Sequence, residues 1–124
     1  GQHPGTDSPG AATVAAMGEA NGFDGSSPFA PESYDAAALI MLAMQAAGSS
    51  SSADYASKVM DVANAPGVQI FPGELAKGLK ILADGGEIDY VGGSAVELIG
   101  PGESAGAYRQ IEIKGGKITT MKYR

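Results

Sequence analysis

The segment SYDAAALIMLAMQAAG, residues 33–48, is the most informative part of the sequence. Ala, Leu and Met favour helices, the segment contains no internal Gly or Pro, and Gly48 stands where a helix commonly ends. At about 100° per residue, the side chains from Leu39 to Met44 point in almost every direction, and a helix that is apolar all round is normally buried all round. We therefore predict a central helix that other parts of the fold cover.

The flanks and the spacing of this helix favour a layered α/β protein over two simpler classes. The apolar run from Ala36 to Met44 is far shorter than the ~20 residues that a bilayer span requires, and Asp35 and Gln45 bracket it. Its apolar positions do not keep to two places in seven, as those of a coiled-coil seam would. The prediction is an α/β fold in which a sheet and other helices cover the segment.

Composition and charge exclude several kinds of function. The 124 residues include no Cys and one His and carry a net charge of −6. Disulfides, thiolate chemistry and a histidine–cysteine metal site are therefore excluded. A nucleic-acid partner is not predicted, because such a surface needs clustered Lys and Arg within a basic domain. The basic residues concentrate near the C-terminus, where a solvated strand face is the expected interpretation: Arg109, Lys114, Lys117, Lys122 and Arg124.

Three further helices are predicted around the central one. The first follows Ser8, which fits an N-cap, and runs towards Gly22. The third, ADYASKVMDVANAPG (53–67), follows a run of serines whose last member is expected to cap it, and the fourth, FPGELAKGLKILADGG (71–86), is expected to begin at Pro72. Their apolar stripes are Tyr55, Val59 and Val62 in the third helix and Leu75, Leu79 and Leu82 in the fourth.

After Gly86 the apolar period changes from about 3.6 to about 2 residues, which predicts about three strands after the four helices. The segments IDYVGG and SAVELI are extended pieces, and GAYRQIEIKGGKITTMKYR is a hairpin around the two-residue turn Gly115-Gly116. The predicted hairpin register places its apolar residues on one buried face by pairing Ile113 with Ile118 and Ile111 with Thr120.

The sequence offers few groups for catalysis. His3 lies in the opening loop and is interpreted as a surface residue, and no serine lies in a nucleophile-elbow pattern. The segment GPGESAG (100–106) is interpreted as a turn between strands, because a dinucleotide-binding loop would open a helix. We predict no cofactor and no metal site.

Tyr34 is the polar residue that best fits a binding role. It begins the central helix between Ser33 and Asp35, and ligands of open α/β sheets gather at the carboxyl ends of strands beside helix N-termini. A tyrosine can offer a ring face and a hydroxyl to a small ligand. The alternative is that Tyr34 simply fills the interface between helix and sheet.

Several motifs, taken in order, resemble the C-terminal part of type I periplasmic substrate-binding proteins of ABC transporters. The most similar branch is the branched-chain amino acid (leucine/isoleucine/valine) receptor family. The motifs are the Tyr-Asp-Ala helix at 34–36 with its Ala-Gly break, the segment IDYVGG at 88–93, and the hairpin from Gly106 to Lys117. Together they cover nearly the whole chain.

The resemblance implies two α/β lobes that are joined by three crossovers and hold a ligand in the cleft between them. Residues 1–104 would form a helical segment of the first lobe that ends in strands, and residues 105–124 would form the crossover and a hairpin that returns to the second lobe. We expect the chain to be the C-terminal third of a longer polypeptide, since its opening, GQHPGTDSPG, is loop-like from the first residue. The remainder of that polypeptide, or self-association, would bury the helix at 33–48.

The resemblance further implies an extracytoplasmic, periplasmic binding component and not an enzyme. It would bind a small polar solute, such as a branched-chain or other amino acid or a related acid or amide, and its closed form would dock on a membrane permease. The candidate ligand-binding residues are Tyr34 and Ser33, with Thr6 from the loop near the hinge. The alternatives are a ligand-sensing domain of a receptor or regulator with the same fold, and an enzyme whose site lies in the missing part.

Overall fold

The computed structural model describes residues 8, 10–95, 98–101, 103–105 and 108–123. Over these ranges the fold is mixed α/β, as predicted. The helices are α1 (Ala11–Ala20), α2 (Ala30–Ala47), α3 (Ser52–Tyr55), α4 (Lys58–Ala63) and α5 (Leu75–Ala83). The strands are β1 (Val68–Ile70), β2 (Ile88–Tyr90), β3 (Leu98–Gly100), β4 (Glu103–Ser104), β5 (Arg109–Lys114) and β6 (Lys117–Tyr123).

The predicted central helix is α2, and Gly48 ends it with a left-handed φ of 65°. One side of α2 is buried, with Leu42 fully inaccessible. The prediction that α2 is buried all round is wrong for the other side, where Ile40 and Met41 are 41% and 46% exposed. The reason is that α3, α4 and α5 all pack on one side of the helix, and no described element forms a layer over the other side.

The core of the fold is a unit in which α5 connects two parallel strands, β1 and β2. The register pairs Ile70 with Tyr90, and Ile70, Ile88 and Tyr90 are at most 1% exposed. Gly78 on α5 permits close packing, because a Cβ there would lie 3.1 Å from the side chain of Leu42. The strands and α5 therefore cover the inner side of α2.

Four local predictions need correction. The fourth predicted helix, α5, begins at Leu75 and not at Pro72. Ser8 is not the N-cap of α1, since that position is Gly10 and the Ser8 hydroxyl instead donates to the carbonyl oxygen of Gly93. The third predicted helix is divided into α3 and α4, and its N-cap, Ser51, makes no side-chain capping bond. Strand β1 was not predicted, because a three-residue strand is too short to show an alternating pattern.

The apolar stripes of the predicted helices are confirmed. Val62 is 2% exposed and belongs to the core, and the other five stripe residues pack against that core: Tyr55, Val59, Leu75, Leu79 and Leu82.

The turn at 100–106 is confirmed where the structure describes it, since β3 and β4 pair antiparallel on either side of Pro101. Asn64 holds β3 to the body: its Nδ2 donates to the carbonyl oxygen of Leu98 at 2.9 Å, and its Oδ1 accepts from the amide of Leu98 at 3.0 Å. This side chain therefore replaces the two hydrogen bonds that a neighbouring strand would make.

The predicted hairpin register is confirmed, because β5 pairs Ile113 with Ile118 and Ile111 with Thr120 across the Gly115-Gly116 turn. The prediction that this face is buried is wrong, since Ile113 and Ile118 are 72% and 65% exposed. Within the described ranges, β5 and β6 pack closely only against each other. The hairpin therefore extends away from the core.

Candidate functional site

The carboxyl ends of β1 and β2 lie side by side, because the two strands are parallel. The start of α1 lies against the loops that follow these strands, since a Cβ on Gly10 would be 2.8 Å from the carbonyl oxygen of Gly92. The Ser8 hydroxyl donates to the carbonyl oxygen of Gly93 at 2.6 Å. We call residues 91–95 the post-β2 loop, and this edge is where α/β sheets commonly bind ligands.

A buried carboxylate on α2 holds the post-β2 loop in place. Asp35 is 1% exposed, and its Oδ1 accepts hydrogen bonds from the hydroxyl of Tyr90 at 2.9 Å and from the amide of Gly93 at 2.8 Å. Its Oδ2 accepts from the amide of Ser94 at 2.8 Å and from the hydroxyl of Ser94. Both carboxylate oxygens are therefore fully engaged.

The burial of this charge is explained by its four donors. No Lys or Arg pairs with Asp35 in the described part of the chain. Hydrogen bonds to the charged form stabilise a carboxylate. Since no lone pair is left for a substrate proton, we assign Asp35 a positioning role on the post-β2 loop.

Tyr90 is the only one of these donors that titrates. Its pKa is raised above the ordinary value of 10.0, first by burial and second by the negative charge of Asp35. The hydrogen bond to Asp35 acts in the same direction, because the phenol must keep its proton in order to donate. Over the whole physiological pH range the Tyr90 hydroxyl therefore keeps its proton and donates its hydrogen bond to Asp35.

The glycine at position 92 is required by the proximity of Asp35. A Cβ on Gly92 would overlap the carboxylate of Asp35, and one on Gly93 would lie 2.6 Å from a methyl group of Val14. Ala95, at the end of the loop, has an unusual φ of 51° for a residue with a side chain. The post-β2 loop is thus packed tightly between the amino ends of α1 and α2.

The predicted candidate Tyr34 lies at the same edge. Its hydroxyl accepts a hydrogen bond from the amide of Gly73, in the loop after β1, at 3.1 Å. The ring packs against the core, as the alternative interpretation expects. Ser33, the preceding residue of α2, is exposed. The third candidate, Thr6, and the loop residue His3 lie outside the described residues.

Tyr34 and Ser33 also line a groove of about 430 Å³ between α1 and α2. Apolar residues form most of its wall, including Val14, Met17 and Phe23. A mostly apolar concavity with a few polar groups is the usual form of a small-molecule site. The structure therefore brings two of the three predicted candidates together at one concave surface.

A second depression lies at the opposite, amino ends of β1 and β2. It has a volume of about 570 Å³, and Lys58, Asn64 and Gly86 contribute to its wall. Asn64 is already engaged with β3. The carboxyl edge, where loops and helix N-termini meet, remains the stronger candidate for a ligand site.

The described residues contain neither a cluster of metal-ligating side chains nor a helix suited to crossing a membrane. No group of three or more His, Cys, Asp or Glu side chains lies close enough together to hold a metal ion there. None of the helices in these ranges combines the length and the hydropathy that crossing a bilayer would require.

The sequence nominated Tyr34 as a binding candidate but gave no prediction of the group formed by Asp35, Tyr90 and Ser94. A signal was present, because Asp35 falls on the buried side of α2 at helical spacing from Pro31, Leu39 and Leu42. A carboxylate on a core-facing stripe must find donors. The sequence could not indicate that the donors come from a loop more than fifty residues away.

The chain was compared with family models, curated proteins and solved structures, and none of them matches it. Its function is therefore inferred from the residues and the geometry of this site.

Proposed function

We propose that the chain is the C-terminal part of an extracytoplasmic solute-binding protein of the type I periplasmic binding protein family. It would serve an ABC transporter by binding a small polar solute, such as a branched-chain or other amino acid. The observation that carries the proposal is the carboxyl edge of the β1–β2 pair, where the amino ends of α1 and α2 meet two strand-following loops.

The rigidity of this edge supports a binding role. Asp35 fixes the post-β2 loop through Tyr90, Gly93 and Ser94, and Tyr34 fixes the loop after β1 through Gly73. A surface that is already ordered before the ligand arrives pays less conformational entropy on binding. The solute would meet the ring and the hydroxyl of Tyr34 and the hydroxyl of Ser33.

The placement of the hairpin supports two lobes. Residues 109–123 extend away from the core, as expected for a segment that returns to a second lobe. The proposed boundary between the lobes, at residues 104 and 105, lies between the core and this hairpin. The open side of α2 supports the same proposal, because the remainder of a longer chain, or self-association, would cover Ile40 and Met41.

The proposed mechanism is one of differential affinity. The two lobes would close on the solute, and the closed form would be favoured because it makes more contacts with that solute than the open form. A membrane permease would then recognise the closed form in the periplasm. No covalent bond changes in this cycle.

The proposal is tested by thermal unfolding of the longest natural polypeptide that contains this segment, against a panel of amino acids, amides and small carboxylic acids. A ligand that binds only the native state stabilises it by about 2.7 kcal/mol at a hundredfold excess over Kd, and we expect one chemical class to raise the Tm by several degrees. A panel without any shift would contradict a solute-binding role and favour a sensor or scaffold.

The contribution of the candidate residues is tested in the same polypeptide. Tyr34→Phe and Ser33→Ala should weaken binding of the active solute about tenfold, which corresponds to one lost hydrogen bond of about 1.4 kcal/mol. Tyr108→Phe is the matched control, because Tyr108 is 55% exposed and lies far from the groove in sequence. Equal affinities in all three variants would exclude Tyr34 and Ser33 from the ligand site.

A further inference from the structure

The C-terminal hairpin has one apolar face that nothing covers within the described chain. Ile111 and Ile113 on β5 lie opposite Thr120 and Ile118 on β6, and the three isoleucines are 41%, 72% and 65% exposed. The opposite face carries Lys114, Lys117 and Lys122, as the alternation along each strand requires. We call the first of these the hairpin apolar face.

The pattern of this hairpin is that of a strand pair with one buried side. A two-stranded hairpin is at best marginally stable alone in water, and packing against a helix or further strands is what normally stabilises it. Isoleucine and threonine also favour strands because they fit a half-buried pleated surface. The hairpin apolar face therefore requires a partner surface.

A complementary surface lies on α2 of the same chain. We define the α2 outer face by the residues that share its open side: Ala36, Ala37, Ile40, Met41, Met44 and Ala47. From the first to the last of these the helix rises by about 17 Å, and the six residues of β5 span about 20 Å. The small alanines leave a shallow surface on which a flat hairpin can lie.

The charges of the two parts of the chain are opposite. Residues 108–124 contain five basic residues and one acidic residue, whereas residues 1–107 contain three basic and thirteen acidic residues. No Lys or Arg occurs before Lys58, so the part of the chain that contains α1 and α2 has no positive side chain other than His3 when protonated. The basic hairpin is therefore attracted to the acidic body of another molecule.

We propose that two copies of this chain associate by exchanging their hairpins, so that the hairpin apolar face of each copy packs on the α2 outer face of the other. Reciprocal exchange gives a closed twofold dimer in which both apolar surfaces of both copies are covered. The proposal concerns the 124-residue chain taken by itself, in which both surfaces are open. Its tests use no solute, so their outcome is separate from that of the solute-binding test.

The first test is the mass of the 124-residue chain in solution. Sedimentation equilibrium from about 1 to about 200 μM should show a monomer of 12.4 kDa in exchange with a dimer. Raising the salt from about 0.05 to about 0.5 M should weaken the dimer severalfold, because the attraction between the basic hairpin and the acidic body is screened. A monomer over the whole concentration range at low salt would overturn the proposal.

Two double variants identify the surfaces. Ile113→Ser with Ile118→Ser changes only the hairpin apolar face, and Ile40→Ser with Met41→Ser changes only the α2 outer face. Each should weaken the dimer at least about tenfold. Ile99→Ser is the control, because Ile99 is 70% exposed on β3 and belongs to neither surface. Wild-type dimerisation by either double variant would overturn the proposal.

A mixture of the two double variants makes the test specific. One copy in the mixture retains an intact hairpin and the other retains an intact α2, so a single contact can form between unlike copies. We expect a one-to-one heterodimer that neither variant forms alone. Failure to form it would show that the hairpin and α2 are not partners. Because all four altered residues are more than 40% exposed, circular dichroism of each variant should match the wild type.

Discussion

The hydroxyl of Tyr90, the last residue of β2, donates a hydrogen bond of 2.9 Å to the carboxylate of Asp35 on α2, 55 residues earlier in the chain. Together with the amides of Gly93 and Ser94, this bond makes the carboxylate the junction between the central helix and the candidate ligand edge.

Loss of the Asp35 carboxylate should destabilise the fold strongly. Asp35→Ala leaves four donors without an acceptor, each at a cost of about 1–3 kcal/mol when it stays buried. We therefore expect a loss of roughly 3 kcal/mol or more in the free energy of unfolding, and a smaller loss for Asp35→Asn, which keeps one acceptor. Urea denaturation followed by circular dichroism measures both.

The matched control for Asp35 is Asp61→Asn. Asp61 lies on α4 in a surface ion pair with Lys58 at 3.8 Å, and such pairs contribute at most about 1 kcal/mol. If Asp35→Asn and Asp61→Asn lower the free energy of unfolding by similar amounts, the buried hydrogen bonds to Asp35 contribute little to stability.

A methyl group at position 92 should disrupt the same junction. Gly92→Ala places a Cβ on the carboxylate of Asp35, and because both groups are buried, the loop or the helix must move. We expect a lowered Tm, with a loss of about 1–3 kcal/mol. Gly100→Ala is the control, since its Cβ would lie 3.3 Å from the flexible end of Glu103, and its Tm should stay near that of the wild type.

The raised pKa of Tyr90 predicts a specific alkaline response. In the unfolded chain this phenol ionises near its ordinary pKa of 10.0, whereas in the folded chain burial and Asp35 keep it protonated. Its contribution to stability is therefore complete below pH 10 and declines as the pH rises above that value, by about 1.4 kcal/mol per pH unit.

The alkaline response is measured by unfolding the wild type and Tyr90→Phe at a series of pH values on both sides of 10. We expect the wild type to lose stability with a steeper slope above pH 10 than the variant. In the native wild type, Tyr90 should also fail to give the tyrosinate absorbance until the chain unfolds. Parallel slopes would show that Tyr90 ionises freely in the folded state.

Asn64 should tolerate no change to a carboxylate. Its amide nitrogen donates to the carbonyl oxygen of Leu98 at 2.9 Å, so Asn64→Asp would place two oxygens against each other at neutral pH. We expect a loss of about 1–3 kcal/mol, with partial recovery at low pH as the carboxyl gains a proton. The control is Asn21→Asp, because Asn21 directly follows α1 and its side chain donates to the carbonyl oxygen of Met17 at an exposed position.

The sequence was sufficient for features that depend on local chemistry. The end of α2 at Gly48 and the Gly115-Gly116 hairpin with its register were predicted, because turn residues and strand alternation specify them within a few positions. The stripes of α4 and α5 followed from the helical period in the same way.

Features that depend on distant contacts were not predictable. Ser8 has the chemistry of an N-cap, but its hydroxyl is used by Gly93, 85 residues away. Strand β1 is three residues long and exists because β2 pairs with it. The exposure of Ile40 and Ile113 could not be inferred either, because a pattern shows which face is apolar and not what lies against it.

The separation of the hairpin from the core has a consequence for amide hydrogen exchange. Opening β5 from β6 exposes no buried residue of α2 or β2, so the two parts of the chain need not open together. In an isolated copy, the amide protons of the hairpin should exchange with solvent long before those of Leu42 and Ile70. The chain thus contains a slowly exchanging core and an arm whose protection depends on what binds it.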